Sequence, residues 1–304
     1  MRISFGILTA VVIFLLLIYF APINGGSFFR RSSGSIISNG KKRSYLLYVP
    51  RSYNPQKPTP LVISLHGFKD YPARQMRKSG WNRLAEKEGF LVVYPRGGGI
   101  PAAWQLYNYK DPSRNPTQDI LFISDLIDHL ESRFNIDPSR IYANGLSNGG
   151  GMSVALACTL SERIAAVGSV VGAYFYPLES CQPARPVALI AIHGTADKLV
   201  AYHGGSSERF DYPFPSIPAF MKNFALKNGC NPNPVGREIN DNVHSTHYPG
   251  KADVVLYTIE GGEHAWPVGK RLPRWLVGNA STAIDATQVL WEFFKTHPLS
   301  RVKE

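Results

Sequence analysis

Three short islands hold the residues of this chain that could do chemistry together. They are Gly145-Leu146-Ser147-Asn148-Gly149, His193-Gly194-Thr195-Ala196-Asp197 and Gly261-Gly262-Glu263-His264. A serine hydroxyl is a poor nucleophile until an imidazole takes its proton and a carboxylate orients that imidazole. The islands offer those groups in chain order: Ser147 as nucleophile, Asp197 as orienting acid, His264 as base. A lone G-x-S-x-G is a weak signal, and its context strengthens it. Arg140-Ile141-Tyr142-Ala143 is β-prone, while Met152 to Cys158 is rich in Ala and Leu and helix-prone. A strand turning sharply into a helix lifts a serine hydroxyl clear of a sheet, and flanking glycines permit the turn.

Competing residues are less well placed. Among the 8 histidines, His66 and His193 stand in His-Gly turns after strand-like runs, where serving loop backbone is the expected role. His244 and His247 precede the last run and are expected at the far end of a sheet. His129 falls in a helix, His203 in a surface loop and His297 in the tail. Asp211 is the nearest rival to Asp197 but is set in a Pro-rich loop. An oxyanion needs two preorganised donors. The Asn148 N–H, at a helix start, supplies one, and the Phe68 N–H, after Leu65-His66-Gly67, is expected to supply the other. No metal or cofactor motif is present: there is no HExxH, no paired CxxC, and Gly97-Gly98-Gly99 lacks the Lys-Ser/Thr of a phosphate loop.

The elements that must position these groups can be read from periodicity. Eight β-prone runs fall near residues 35–38, 44–49, 61–65, 90–94, 140–143, 166–171, 187–192 and 254–259. From the third onward most are nearly continuous apolar stretches, as parallel strands buried on both faces should be. Asn39-Gly40 has the chemistry of a hairpin turn joining the first two. Helical patterns fall between several runs. In the clearest, residues 117–134, an apolar stripe runs through Ile123, Leu126, Ile127, Leu130 and Phe134. The expectation is an α/β fold with an eight-stranded, mostly parallel sheet flanked by helices. Groups that act on ligands gather beyond the carboxyl ends of parallel strands. Ser147, Asp197 and His264 follow the fifth, seventh and eighth runs, so they should emerge at one edge.

The 304 residues suit one large domain after an apolar leader, and 44% hydrophobic content leaves ample core material. The net charge of +11 is scattered rather than gathered in a basic arm, so nucleic acid is not an expected partner. Approach to anionic envelope material fits that charge. Ile3 to Ala21 carries no charge, and about 19 residues at ~1.5 Å each nearly span a bilayer. The expected division is therefore 1–24, an apolar signal or membrane anchor; 25–34, a linker; and 35–298, the catalytic domain, outside the cytoplasm, secreted or anchored. Cys158, Cys181 and Cys230 lack metal spacing. Export favours one disulfide and one leftover thiol. Any pair is open, and Cys158–Cys181, which closes the shortest loop, is expected.

Further segments complete a pattern. Trp104, Gln118-Asp119, Ile136-Asp137-Pro138-Ser139-Arg140-Ile141-Tyr142, Tyr202-His203-Gly204-Gly205, Asn228-Gly229-Cys230 and His264-Ala265-Trp266-Pro267 accompany the three islands and Leu65-His66-Gly67. Together they resemble the polyhydroxybutyrate depolymerase and feruloyl esterase family of secreted α/β-hydrolases, from about residue 43 to 296. The resemblance implies the α/β-hydrolase fold and hydrolysis of a carboxylic ester through an acyl-serine, with Ser147, Asp197 and His264 as the triad. It also implies that Trp104 and Trp266 line the acyl pocket, with a place in the core as the alternative for either. Hydroxyalkanoate oligomers and feruloyl or acetyl esters of polysaccharides are the implied substrates. Phe68 departs from the pattern, which usually has a small residue or Cys there, and the Arg96–Asp111 loop is long. No appended polymer-binding module is seen, which favours soluble substrates over solid polyester. Two other classes compete. A serine peptidase of the prolyl-oligopeptidase type shares sheet and triad order but normally carries a propeller or acidic residues for a substrate amine. A membrane-tethered binding protein on an inactive scaffold would lack triad members.

Overall fold

Largely apolar runs become the buried strands at the centre of the sheet. In the computed structural model, which describes residues 30–106, 117–206, 213–269 and 279–299, every residue of β3 (Thr59–Leu65), β4 (Leu91–Pro95), β6 (Ala166–Val170) and β7 (Ala188–Gly194) is buried. With β5 (Ile136–Leu146) and β10 (Val254–Ile259) they form a parallel block in the order β4-β3-β5-β6-β7-β10. Antiparallel pairs flank it: β1 (Arg30–Ser38) and β2 (Lys41–Val49) beyond β4, β9 (Val243–Tyr248) and β8 (Val235–Asn240) beyond β10. The apolar segment at 3–21 and Asp211 lie outside the described residues.

Among the described residues the sheet has ten strands, not eight. All eight expected runs form strands, and the two additional ones are the hairpin β8–β9. Sequence periodicity misses them because VGREIN is exposed at every position and VHSTHY is mostly polar. The first strand also starts at Arg30, inside the stretch expected as linker. Asn39 and Gly40 both take positive φ, 46° and 71°, as the expected tight hairpin demands.

Alternation along the strands builds two core layers. Leu61, Ile63, Leu65, Leu91, Val93, Leu189 and Ala191 face one layer; Val62, Val92, Tyr94, Ile190 and Ile192 face the other. The first layer is covered by α3 (Thr117–Glu131), α4 (Asn148–Thr159) and α5 (Ile217–Lys227). The second is covered by α1 (Pro72–Ser79), α2 (Trp81–Glu88) and α6 (Ala286–Thr296), where Trp291 stacks on Phe90 at 4.0 Å and Phe294 on Tyr142 at 4.9 Å. This is the α/β-hydrolase arrangement. Helix α1 gave no apolar stripe, since PARQMRKS buries only Pro72, Gln75 and Ser79. Cys158 and Cys181 form a disulfide, and Cys230 is a buried free thiol.

Candidate active site

Ser147 stands where β5 turns into α4, with φ 55° and ψ −116°. A non-glycine residue held there stores roughly 1–3 kcal/mol of strain, so its surroundings must brace it. They do so through the backbone. The Ser147 N–H donates to Val170 O at 2.9 Å, and the Ser147 carbonyl accepts from Gly151 N at 2.9 Å and Ala173 N at 3.0 Å. The glycines of the island are needed for close approach. A methyl on Gly145 would overlap the backbone of Gly149, and one on Gly149 would overlap the carbonyls of Leu65 and His66. On the other side, a methyl on Gly67 would lie 3.7 Å from Ser147 Cβ, which sets the loop after β3 directly against the serine.

The second and third islands are stitched together at the same edge of the sheet. Thr195 N donates to Ile259 O, and Ala196 N to Gly262 O, both at 3.0 Å, while Gly261 N donates to Thr195 Oγ1 at 2.9 Å. Gly194 and Gly262 pack backbone to backbone with no room for a Cβ. This brings His264 Nδ1 to 2.7 Å from Asp197 Oδ2. The Asp197 side chain is fully buried, whereas His264 keeps 16% of its surface. Oδ1 of Asp197 accepts the N–H groups of Leu199 and Val200, each at 2.9 Å. Oδ2 accepts a second imidazole as well, His193 Nε2 at 3.2 Å. Burial opposes ionisation of Asp197, but hydrogen bonds from His193 and His264, the His264 charge and Val200 N–H outweigh it. They hold the carboxyl far below the usual carboxylate range.

His66 serves loop backbone, as expected. Its Nδ1 donates to Gly67 O at 2.8 Å and its Nε2 accepts Gly97 N–H at 2.9 Å, so the ring is the Nδ1–H tautomer. Burial pushes its pKa down. His193 does more than expected. Besides Val200 O at 2.9 Å it reaches Asp197, so the proton sits on Nε2. The interval His193-Gly-Thr-Ala-Asp197 was the only signal of that contact. His244 is a correction: β9 runs antiparallel to β10 and sets His244 opposite Thr258, at the site edge, while His247 lies opposite Val255 at the far end. Asp197 nevertheless holds His264, and His244 lies 3.7 Å from Glu260.

The Asn148 side chain is committed elsewhere: its Oδ1 accepts Trp104 N at 2.7 Å and its Nδ2 donates to Trp104 O at 3.2 Å. What Asn148 can offer an oxyanion is its backbone N–H, in the first turn of α4, where such groups have no intrahelical acceptor. Phe68 follows Gly67 in the loop against Ser147, and its side chain is 38% exposed. Trp104 and Trp266 differ from the acyl-pocket expectation. Each is only 2% exposed. The Trp104 indole donates to His66 O at 2.9 Å and the Trp266 indole to Thr287 Oγ1 at 3.1 Å. Both rings therefore pack as supports of the loops. Val171 was not anticipated by any signal. It takes φ 44° although Gly172 follows, a strained state for a β-branched residue, and its N–H bonds Ile192 O at 2.8 Å. That turn delivers Ala173 N to the Ser147 carbonyl.

The sequence model for the esterase PHB depolymerase family matches residues 43–213. Among curated relatives, the bifunctional acetylxylan esterase/xylanase XynS20E of Neocallimastix patriciarum is 31% identical over 63% of this chain and 25% of its own length. Feruloyl esterase B of Piromyces equi is 30% identical over 75% of this chain and 44% of its own length. The chain thus spans less than half of those two proteins. Feruloyl esterase C of Emericella nidulans is 28% identical over 90% of this chain and 93% of its own length. Among solved structures, an acetyl xylan esterase from Aspergillus awamori superposes with TM-score 0.65 at 17% identity, covering 82% of this chain and 100% of that one. A dipeptidyl aminopeptidase IV of Bacteroides ovatus reaches 0.60 at 14% identity, covering 90% of this chain and 36% of that one, so the fold alone does not separate ester from peptide chemistry. The family match spans more than half of the chain and carries the Ser147 and Asp197 islands: this protein belongs to the esterase PHB depolymerase family.

Proposed function

We propose that this chain is a serine carboxylic-ester hydrolase working through an acyl-serine. The observation that carries the reading is the 2.7 Å bond from His264 Nδ1 to a buried, ionised Asp197, at the same sheet edge as the strained Ser147. Ser147 Oγ attacks the ester carbonyl carbon while His264 takes the hydroxyl proton. Asp197 holds the ring by Nδ1, which leaves Nε2 as the base, and steadies the imidazolium. The oxyanion forms against the N–H groups of Asn148 and Phe68. Collapse breaks the ester C–O bond, and His264 returns the proton to the leaving alcohol. Water, giving a proton to His264, then attacks the acyl-serine; the bond from the acyl carbon to Ser147 Oγ breaks, the carboxylic acid leaves, and His264 returns the proton to Ser147 Oγ.

The relatives named for acetylxylan and feruloyl esters support acylated polysaccharide as the substrate class, ahead of hydroxyalkanoate oligomers. The Cys158–Cys181 disulfide supports an oxidising compartment, so the domain is taken to be exported, secreted or tethered by its apolar leader. The test is turnover of p-nitrophenyl acetate and butyrate beside a Ser147→Ala control and a peptide p-nitroanilide. Ester turnover lost in the variant with the anilide untouched is the expected result. Anilide cleavage without ester turnover would transfer the site to peptide chemistry, and a folded protein inert to both would make it a binding scaffold.

A further inference from the structure

Beside the candidate site lies a cleft whose described residues carry more positive than negative charge. Lys41, Lys42, Arg43 and Arg96, with Gly97 to Gly99 and Asp119, wall a cavity of about 290 Å³. Among the described residues Asp119 is the one acid in that wall, and it is already engaged. Its Oδ1 accepts Arg43 Nη2 at 2.6 Å and its Oδ2 accepts Gln105 N at 2.7 Å. Lys41 Nζ donates to the uncharged amide of Gln118 at 3.0 Å. Lys42 and Arg96 are exposed and make no ion pair with any described residue. Arg43 also holds the Arg96 carbonyl at 3.1 Å, which fixes the backbone that carries the Arg96 side chain.

The cleft shares its scaffold with the serine. Arg96 directly follows β4, at the carboxyl edge of the parallel block. β2 runs antiparallel to β4 with Tyr45 opposite Pro95, which brings Lys41 and Lys42 to that same edge. Gly97 N bonds the ring of His66, whose neighbour Gly67 lies against Ser147. Gln105 follows Trp104, whose backbone Asn148 clamps. The cleft and the serine are therefore two faces of the same pair of loops.

We propose that this cleft is a subsite for a negatively charged unit of the substrate, a carboxylate carried on the sugar chain of the ester. Lys42 and Arg96 both line the one opening, and a guanidinium with an ammonium suits a carboxylate. The volume is at the low end for ligand sites, which fits one charged sugar unit rather than a length of chain. The inference rests on the ester-hydrolase reading for its substrate but not for its test. Binding of acetylated xylo-oligosaccharides, with and without a uronic acid residue, is measured calorimetrically on the full chain carrying Ser147→Ala, where no turnover intervenes. Two cations in solvent predict a preference of about three- to tenfold for the uronate-bearing ligand at low salt. That ratio should fall toward one when Lys42→Gln and Arg96→Gln are added, and also on raising salt to roughly 0.5 M. A ratio needs no assumption about overall affinity, and the salt titration needs no second variant to fold. A ratio near one at low salt, or one unmoved by both substitutions, overturns the proposal. So does thermal protection by inorganic phosphate at constant ionic strength with no uronate preference, which would make the cleft a free-anion site. Loss of p-nitrophenyl acetate turnover in the wild-type chain, with the preference intact, would remove the ester reading and leave the subsite standing.

Discussion

Asp197 gathers four donors on two oxygens inside the protein, two from backbone and two from imidazoles. Because its folded pKa lies below its unfolded value of about 4, the stability it adds is present above that value. It is lost as pH falls toward and through the folded pKa. Thermal unfolding should therefore show the wild-type advantage over Asp197→Asn shrinking from about pH 5 downward. Asp197 therefore stays ionised across the working range. His193 acts on Asp197 as a positioning residue. Removing its contact with Oδ2 leaves the carboxylate more basic. His193→Leu should lower kcat by roughly ten- to hundredfold, the worth of a hydrogen bond to a charged group, and move the acid loss of thermal stability to higher pH. His193→Gln, which keeps a donor at that reach, should restore most of both. An acid unfolding profile unmoved in the Leu variant would show that the bond only holds the loop. At this scale the sequence was informative about which residues meet, because the His–x₃–Asp and Gly-Gly-x-His spacings are local. It was silent on Val171, whose strained φ depends on the neighbouring strand and helix.

Elements explain why the glycines of the elbow cannot vary. β5 and α4 meet so closely that Gly145 touches Gly149, and Gly149 lies on the Leu65 and His66 carbonyls. Gly149→Ala forces backbone apart and should destabilise by about 1–3 kcal/mol, with a larger loss of turnover as Ser147 shifts. Gly236 on β8 provides the contrast: it has open space and no positive φ. Gly236→Ala should be neutral or stabilising by up to about 1 kcal/mol. Denaturant unfolding of the two variants measures both, and equal effects would undo the close-approach argument. The parallel strands were legible because burial on both faces demands largely apolar runs. β8 and β9 were not, since an exposed edge hairpin places no such demand on composition. The position of His244 was missed with them: only a chain reversal places a residue preceding β10 beside its carboxyl end.

Across the whole molecule, one sheet keeps three loops in register, and two packed layers keep the sheet rigid. The disulfide joins the end of α4 to the segment before β7, across a sequence separation of 23. Closing a loop of that size contributes about 3 kcal/mol by unfolded-state entropy. Replacing both Cys158 and Cys181 by Ser should lower the unfolding temperature by roughly 6–12 °C, measured by calorimetry. An unchanged temperature would mean the bond adds nothing to the packing of α4. Fold class was readable in the sequence because strand burial and strand–helix alternation are global constraints. Substrate-facing detail was not, as Trp104 and Trp266 illustrate: an aromatic residue beside a catalytic motif is as useful to a loop's underside as to its open face. The central claim is that Ser147 carries the acyl group. Rapid mixing of the protein with p-nitrophenyl acetate, quenched in acid and followed by peptide mass analysis, tests it directly. The account predicts an early release of up to one equivalent of p-nitrophenol and an acetyl group on the peptide containing Ser147, both absent in Ser147→Ala. Steady turnover in that variant, or an acetyl group on another residue with Ser147 unmodified, would contradict it.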